Sequence, residues 1–256
     1  MPPLTVVVRR ALALAAALAA LAVATAANAD DDKPRLRLQG GGAVPPCGSL
    51  ANAYGPYDYR TQREYLRVVE DYHFSIRTEN LIKPMGRNFG GDFDYTLRAS
   101  PNHHRALLAL ARYSERVGQE KLADASYSVD CYFDRALRFA KDDMVVRMIY
   151  AQHLAHTGRA EAANAQLAYV VASAGDDPFT YFNAGLIYLE MKEYERALAA
   201  AHESMRYGMT RTELKDELVA AGKWVDPPAA AASAPAGAAS TAGDAASAAA
   251  AAPGSP

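Results

Sequence analysis

The sequence has little cysteine: Cys47 and Cys131 are the only two in 256 residues. Two thiols supply neither a C-x-x-C redox pair nor a four-ligand zinc framework. Alternating Val/Ile runs are scarce, so strands are not expected. No G-x-S-x-G elbow, phosphate loop or dinucleotide fingerprint occurs, which leaves the commonest nucleophile and nucleotide sites without support. Beyond residue 29 no apolar run approaches the roughly 20 residues needed to cross a bilayer, so no membrane span is expected after signal cleavage. Neither sign of charge dominates: 27 Lys and Arg stand against 29 Asp and Glu, a net of −2. Nucleic acid is therefore not an expected partner, because a generic binder needs a basic field.

Alanine is abundant, and it is concentrated at the two ends. Residues 1–29 have the three parts of a secretory signal peptide. Arg9 and Arg10 form the positive region, an apolar stretch follows, and Ala27-Asn28-Ala29 reads as a cleavage site before Asp30. The destination implied is the periplasm. Residues 30–46, with three consecutive glycines and Pro45-Pro46, read as a flexible leader. Residues 227–256 hold 16 alanines and one charge but no Leu, Ile, Val, Phe or Tyr. Such a tail has nothing large to bury against the entropy of ordering and reads as disordered.

The remaining residues, roughly 180, carry apolar positions at three- and four-residue spacing, which predicts helices. A period of 34 residues then emerges. Within 178–211, Tyr181, Gly185, Tyr188, Ala197 and Ser204 stand at positions 4, 8, 11, 20 and 27. This pattern resembles the tetratricopeptide repeat (TPR) family, in an exported bacterial form. Within 144–177, Ala151, Gly158 and Ala163 occupy positions 8, 15 and 20. A third copy over 104–143 offers Leu107, Ala111, Gly118 and Ala123, with a lengthened second helix expected over 121–140.

Residues 47–103 read as an irregular N-terminal helical unit, with Thr61-x-x-Glu64 as a capping box for a helix over 62–72. Asp92 is the expected cap of a short helix over 93–99. Residues 212–226 read as a capping helix, opened by a second box, Thr210-x-x-Glu213, and covered by Trp224. The resemblance thus implies an all-α helix–turn–helix solenoid.

On the expected 121–140 helix, Cys131 falls opposite the apolar face. In an oxidising compartment an even pair favours a disulfide, Cys47 to Cys131, with Tyr54 to Tyr59 packed over that helix. An intermolecular bond and two free thiols are the alternatives. His153-x-x-His156 is half of a metal site without an acidic third ligand at a supporting spacing, so no metal is expected. His103 and His104 read as turn and capping residues. The pairs Asp142/Asp143 and Asp176/Asp177 read as helix-start carboxylates. No cofactor and no enzymatic activity are expected.

In the family resembled, the first helix of each repeat lines a concave groove. Carried over position by position, the groove holds Arg105, Leu108, Arg112, Glu115 and Arg116, then Met148, Ile149, Gln152 and His156. Phe179, Phe182, Asn183, Leu186 and Glu190 complete it. It runs from an arginine-rich end to an apolar end, which suits a peptide or partner protein carrying an acidic and an aromatic group. The expected function is a non-enzymatic, periplasmic protein-binding scaffold. A structural accessory of envelope or exopolysaccharide assembly is the alternative, and a metal- or thiol-dependent enzyme a more remote one.

Overall fold

A computed structural model describes residues 46–227. The expected signal peptide, nearly all of the leader and nearly all of the tail lie outside the described residues. Every described helix lies within Leu50–Pro256. Among the described residues there is no strand, and none of the helices is long and apolar enough to cross a membrane.

A 3-10 turn, Arg63–Tyr65, precedes α1 (Arg67–His73), α2 (Ile76–Glu79) and α3 (Phe89–Ala99). Three larger pairs follow: α4 (His104–Val117) with α5 (Val129–Phe139), α6 (Met144–His156) with α7 (Ala160–Ser173), and α8 (Pro178–Glu190) with α9 (Tyr194–Arg206). Helix α10 (Glu213–Ala220) closes the series. Partners within a pair pack on each other, and α4, α6, α8 and α10 also pack each on the next. Neighbour-on-neighbour packing of this kind is consistent with a generic helical-repeat fold.

Local chemistry sets these boundaries. The side chains of His103, Asp143 and Asp177 cap α4, α6 and α8 by accepting from backbone N–H groups of the first turn. Ser128 does the same for α5 and Asn88 for α3. The turn inside each pair contains a left-handed residue at the same place in the period: Gly118, Gly158 and Lys192, with φ of 65°, 78° and 62°. Two of the three are glycine, the residue that adopts this conformation without a Cβ clash.

Small residues let the helices cross closely. Ala151, Ala163 and Ala197 are fully buried. A Cβ on Gly185 would stand 2.4 Å from Leu214 and 3.3 Å from the Ala200 Cβ, so α8 meets α9 and α10 at this point. Two apolar clusters result. One joins Phe74, Phe93, Leu107, Leu110 and Phe133; the other joins Leu167, Phe182, Tyr188, Leu214 and Leu218. Trp224 packs against the second, as its position in the sequence predicts.

Several local expectations are corrected. The helix expected over 121–140 begins only at Val129. Residues 119–128 form a loop in which Asp124 takes φ of 60° and Leu122 and Ala125 bury as turn residues. Ala123 is therefore not a helix-crossing residue; its carbonyl oxygen instead lies 2.1 Å from where a Gly90 Cβ would stand. Tyr127, expected on that helix, lies in the loop beneath the Arg135 guanidinium. Neither capping box forms. Gln62 accepts from the Asp58 N–H, and Thr212 rather than Thr210 precedes α10, its hydroxyl donating to Asp216. Asp92 caps nothing at a helix start; it is buried inside α3 and accepts from the N–H groups of Met85 and Gly86.

Residues 57–60 bond to the end of α3, to the turn after it and to the turn before α6. Tyr57 N–H donates to the Ala99 carbonyl, and Tyr59 N–H to Asn102. Asn102 in turn donates to Asp58 and Asp143, and Arg60 donates to Asp58 and Asp142. His104 completes the set by bonding Asp143 at 2.8 Å. Buried polar groups are tolerated here because each finds a partner.

Candidate binding surface

Helices α4, α6 and α8 carry the residues of interest because equal steps from each helix start place side chains on the same face. Arg112, Gln152 and Leu186 are the ninth residues of their helices. Phe179, near the start of α8, is 57% exposed. Asn183, one turn further on, is also exposed, and Leu186 is half-buried.

At the α4 end, Arg112 and Arg116 are exposed. Arg116 stacks over the Tyr113 ring at 5.1 Å, and neither arginine makes an ion pair among the described residues. Arg105 is placed differently. Its guanidinium donates to both carboxylate oxygens of Glu79 and lies 3.7 Å from Glu70, so its charge is already matched. Glu79 is held below the usual carboxylate range by this hydrogen-bonded pair. Leu108 is half-buried. Met148 and Phe182, expected to line a groove, belong instead to the second apolar cluster, with Phe182 only 1% exposed beneath the Arg211 guanidinium.

Between the two ends runs a polar chain crossing three helices. His153, 4% exposed, donates through Nδ1 to Glu115 Oε1 at 2.8 Å. His156, 36% exposed, lies between Glu115 Oε2 at 2.9 Å and Glu190 Oε1 at 2.6 Å. Gln152 donates to the other oxygen of Glu190 at 3.0 Å. Burial alone lowers the His156 pKa, but the two carboxylates outweigh it and the net shift is upward. For Glu190, burial raises the pKa, and the bonds from His156 and Gln152 reverse this to a net lowering. Alongside lies a cleft of about 370 Å³, lined by Glu115, His153, His156, Ser128 and Arg159 among others.

The sequence singled out His153 and His156 but missed their acidic partners, which stand 38 and 34 positions away. The signal was available: Glu190 is one full repeat period beyond His156, so the two occupy equal positions on successive first helices. Glu115 is shared by the histidines as a hydrogen-bond acceptor. Among the described residues no group of three or more His, Cys, Asp or Glu side chains could hold a metal ion.

The two cysteines are disulfide-bonded, Cys47 to Cys131. Comparison with protein-family models, curated proteins and solved structures found no match.

Proposed function

We propose that the chain is a TPR-like, exported protein-binding scaffold without enzymatic activity, and that α4, α6 and α8 hold an extended peptide in a groove. The observation that carries this reading is the pairing of an exposed apolar anchor, Phe179, with two exposed arginines that have no ionic partner among the described residues, Arg112 and Arg116. Two helix spacings of about 9 Å separate the ends. At about 3.3 Å per residue, five or six extended residues bridge them. The peptide expected carries a carboxylate toward the α4 end and an aromatic or large apolar group toward the α8 end. Arg105 contributes little, since Glu79 already neutralises it. The resemblance of residues 1–29 to a secretory signal supports a periplasmic location, and the disulfide agrees with an oxidising compartment.

Screening the protein against an immobilised peptide library tests this. Enrichment of peptides with Asp or Glu four to six residues from an aromatic supports the reading, provided Arg112→Glu weakens their binding by about tenfold. An Arg112→Glu protein that selects the same peptides with the same affinity overturns it.

A further inference from the structure

Both ring nitrogens of His156 lie within hydrogen-bond distance of a carboxylate, one on α4 and one on α8. A neutral imidazole has one N–H and can donate to only one of them; only the imidazolium donates to both. The observed geometry is thus that of the charged ring. We propose that His156 is a proton-operated clasp across the groove, joining Glu115 to Glu190 when charged and releasing one of them when neutral. This regulation rests on the proposed groove for its functional meaning, although the clasp itself is testable without any peptide.

The surroundings support a titration centred on this ring. Helix α4 presents Glu115, with Arg112 and Arg116 on the same helix, and α8 presents Glu190. The loop after α4 brings Glu120 to the neighbouring cleft, and α5 brings Asp130, which is paired with Arg159. On its own helix His153 faces Glu115. Helix α7 carries Glu161 and Tyr169, neither hydrogen-bonded to His156. His156 also stands in the last turn of α6, where the helix carbonyls favour a cation.

Loss of the proton acts on the groove in two ways that reinforce each other. A carboxylate on α4 or α8 loses its charge-assisted bond, so the three first helices lose a direct tie. The groove also becomes more negative by one charge, which disfavours an acidic peptide. Tight binding is therefore expected on the acidic side of the His156 midpoint and weaker binding above it.

The test is an NMR titration of the His156 ring in the full chain, with Glu190→Gln and His156→Gln as variants whose fold is checked by circular dichroism. The wild-type midpoint is expected above the ordinary 6.5 and should drop toward it in Glu190→Gln. A midpoint at or below 6.5, or one unmoved by Glu190→Gln, overturns the clasp. With an acidic-aromatic peptide from the library as probe, wild-type affinity is expected to fall several-fold across the midpoint, and His156→Gln to remove that dependence. A pH response that persists in His156→Gln refutes the regulation. If no peptide binds at any pH, the groove reading fails, and the ring titration still decides the clasp.

Discussion

Replacing Gly90 with alanine pits helix propensity against packing, and the structure decides which wins. Gly90 is the second residue of α3, and its φ lies outside the left-handed region, so alanine suits the backbone. On propensity alone the change gains about 0.5–1 kcal/mol. The added Cβ, however, stands 2.1 Å from the Ala123 carbonyl oxygen and 3.0 Å from the Leu122 Cβ. The first of these is backbone, which cannot rotate away as a side chain would. The whole 119–128 loop has to move, and that loop donates the Ser126 N–H to buried Asp94.

Overpacking of this kind costs about 1–3 kcal/mol, more if the Asp94 bond is lost as well. The neighbour provides the control. A Cβ on Gly91 meets nothing closer than 3.6 Å, so Gly91→Ala keeps the propensity gain and avoids the clash. Equilibrium urea unfolding of both variants should show Gly91→Ala neutral to stabilised and Gly90→Ala destabilised. The propensity gain cancels between them, so the two are expected to differ by the overpacking cost, about 1–3 kcal/mol, at equal m-value. If Gly90→Ala is as stable as Gly91→Ala, the contact between α3 and the loop is not the one described.

Tyr132→Phe should lose about 1–2 kcal/mol, because the buried Asp94 carboxylate keeps its desolvation while losing a 2.5 Å bond; thermal melts of the variant measure it. Leu214→Ala, which empties a fully buried site against α8, should cost about 2–5 kcal/mol in the same assay. Reducing the disulfide opens a loop of roughly 84 residues and should cost about 4–5 kcal/mol by chain-entropy reckoning. Urea midpoints with and without reductant report that loss, and no change would mean the unfolded chain is not constrained by the bond.

The pH dependence divides between two histidines of opposite sign. Burial, outweighing the bond to Glu70, lowers the His103 pKa. The unfolded chain therefore binds the proton first, and stability falls as pH drops below about 6.5. The raised pKa of His156 adds stability below 6.5 that disappears as pH rises through its folded value. Comparing urea midpoints at pH 7.5 and 5.5, His156→Gln should show a steeper loss on acidification than the wild type.

Much of the fold was legible because it repeats. The 34-residue spacing placed α6 to α9 and the turn residues Gly118 and Gly158, and the carboxylates Asp143 and Asp177 announced their helix starts. The loop 119–128 was not legible, since Leu122 and Ala125 continue an apolar helical spacing that periodicity cannot distinguish from a buried turn. Its true cause is tertiary: Gly90 admits the Ala123 backbone and Asp94 fixes Ser126. The capping boxes failed for a local reason: Gln62 and Thr212, not Thr61 and Thr210, stand directly before the helix starts, and their side chains bond Asp58 and Asp216. At the candidate surface, the exposure of Phe179 and Arg112 agrees with their positions in the period. Met148 and Phe182 did not, because position in a period gives a direction and not the depth to which neighbours cover it.

The hydrogen bonds of residues 57–60 have a bearing on the order of folding. Tyr59 is bonded to a residue 43 positions downstream, Asp58 to one 44 positions downstream, and Arg60 to one 82 positions downstream. The local bonds, Arg60 to Asp58 and Asp58 to Gln62, do not tie the segment to the helices, and closure over such separations comes late because its entropy is spent before any bond forms. A chain emerging from its N-terminus first thus cannot anchor this segment before residues 99–102 have followed, and cannot complete it until the turn before α6 has. The earliest part of the described chain is completed only after its middle, and an intact segment 57–60 is a report that residues 99–143 are already in place.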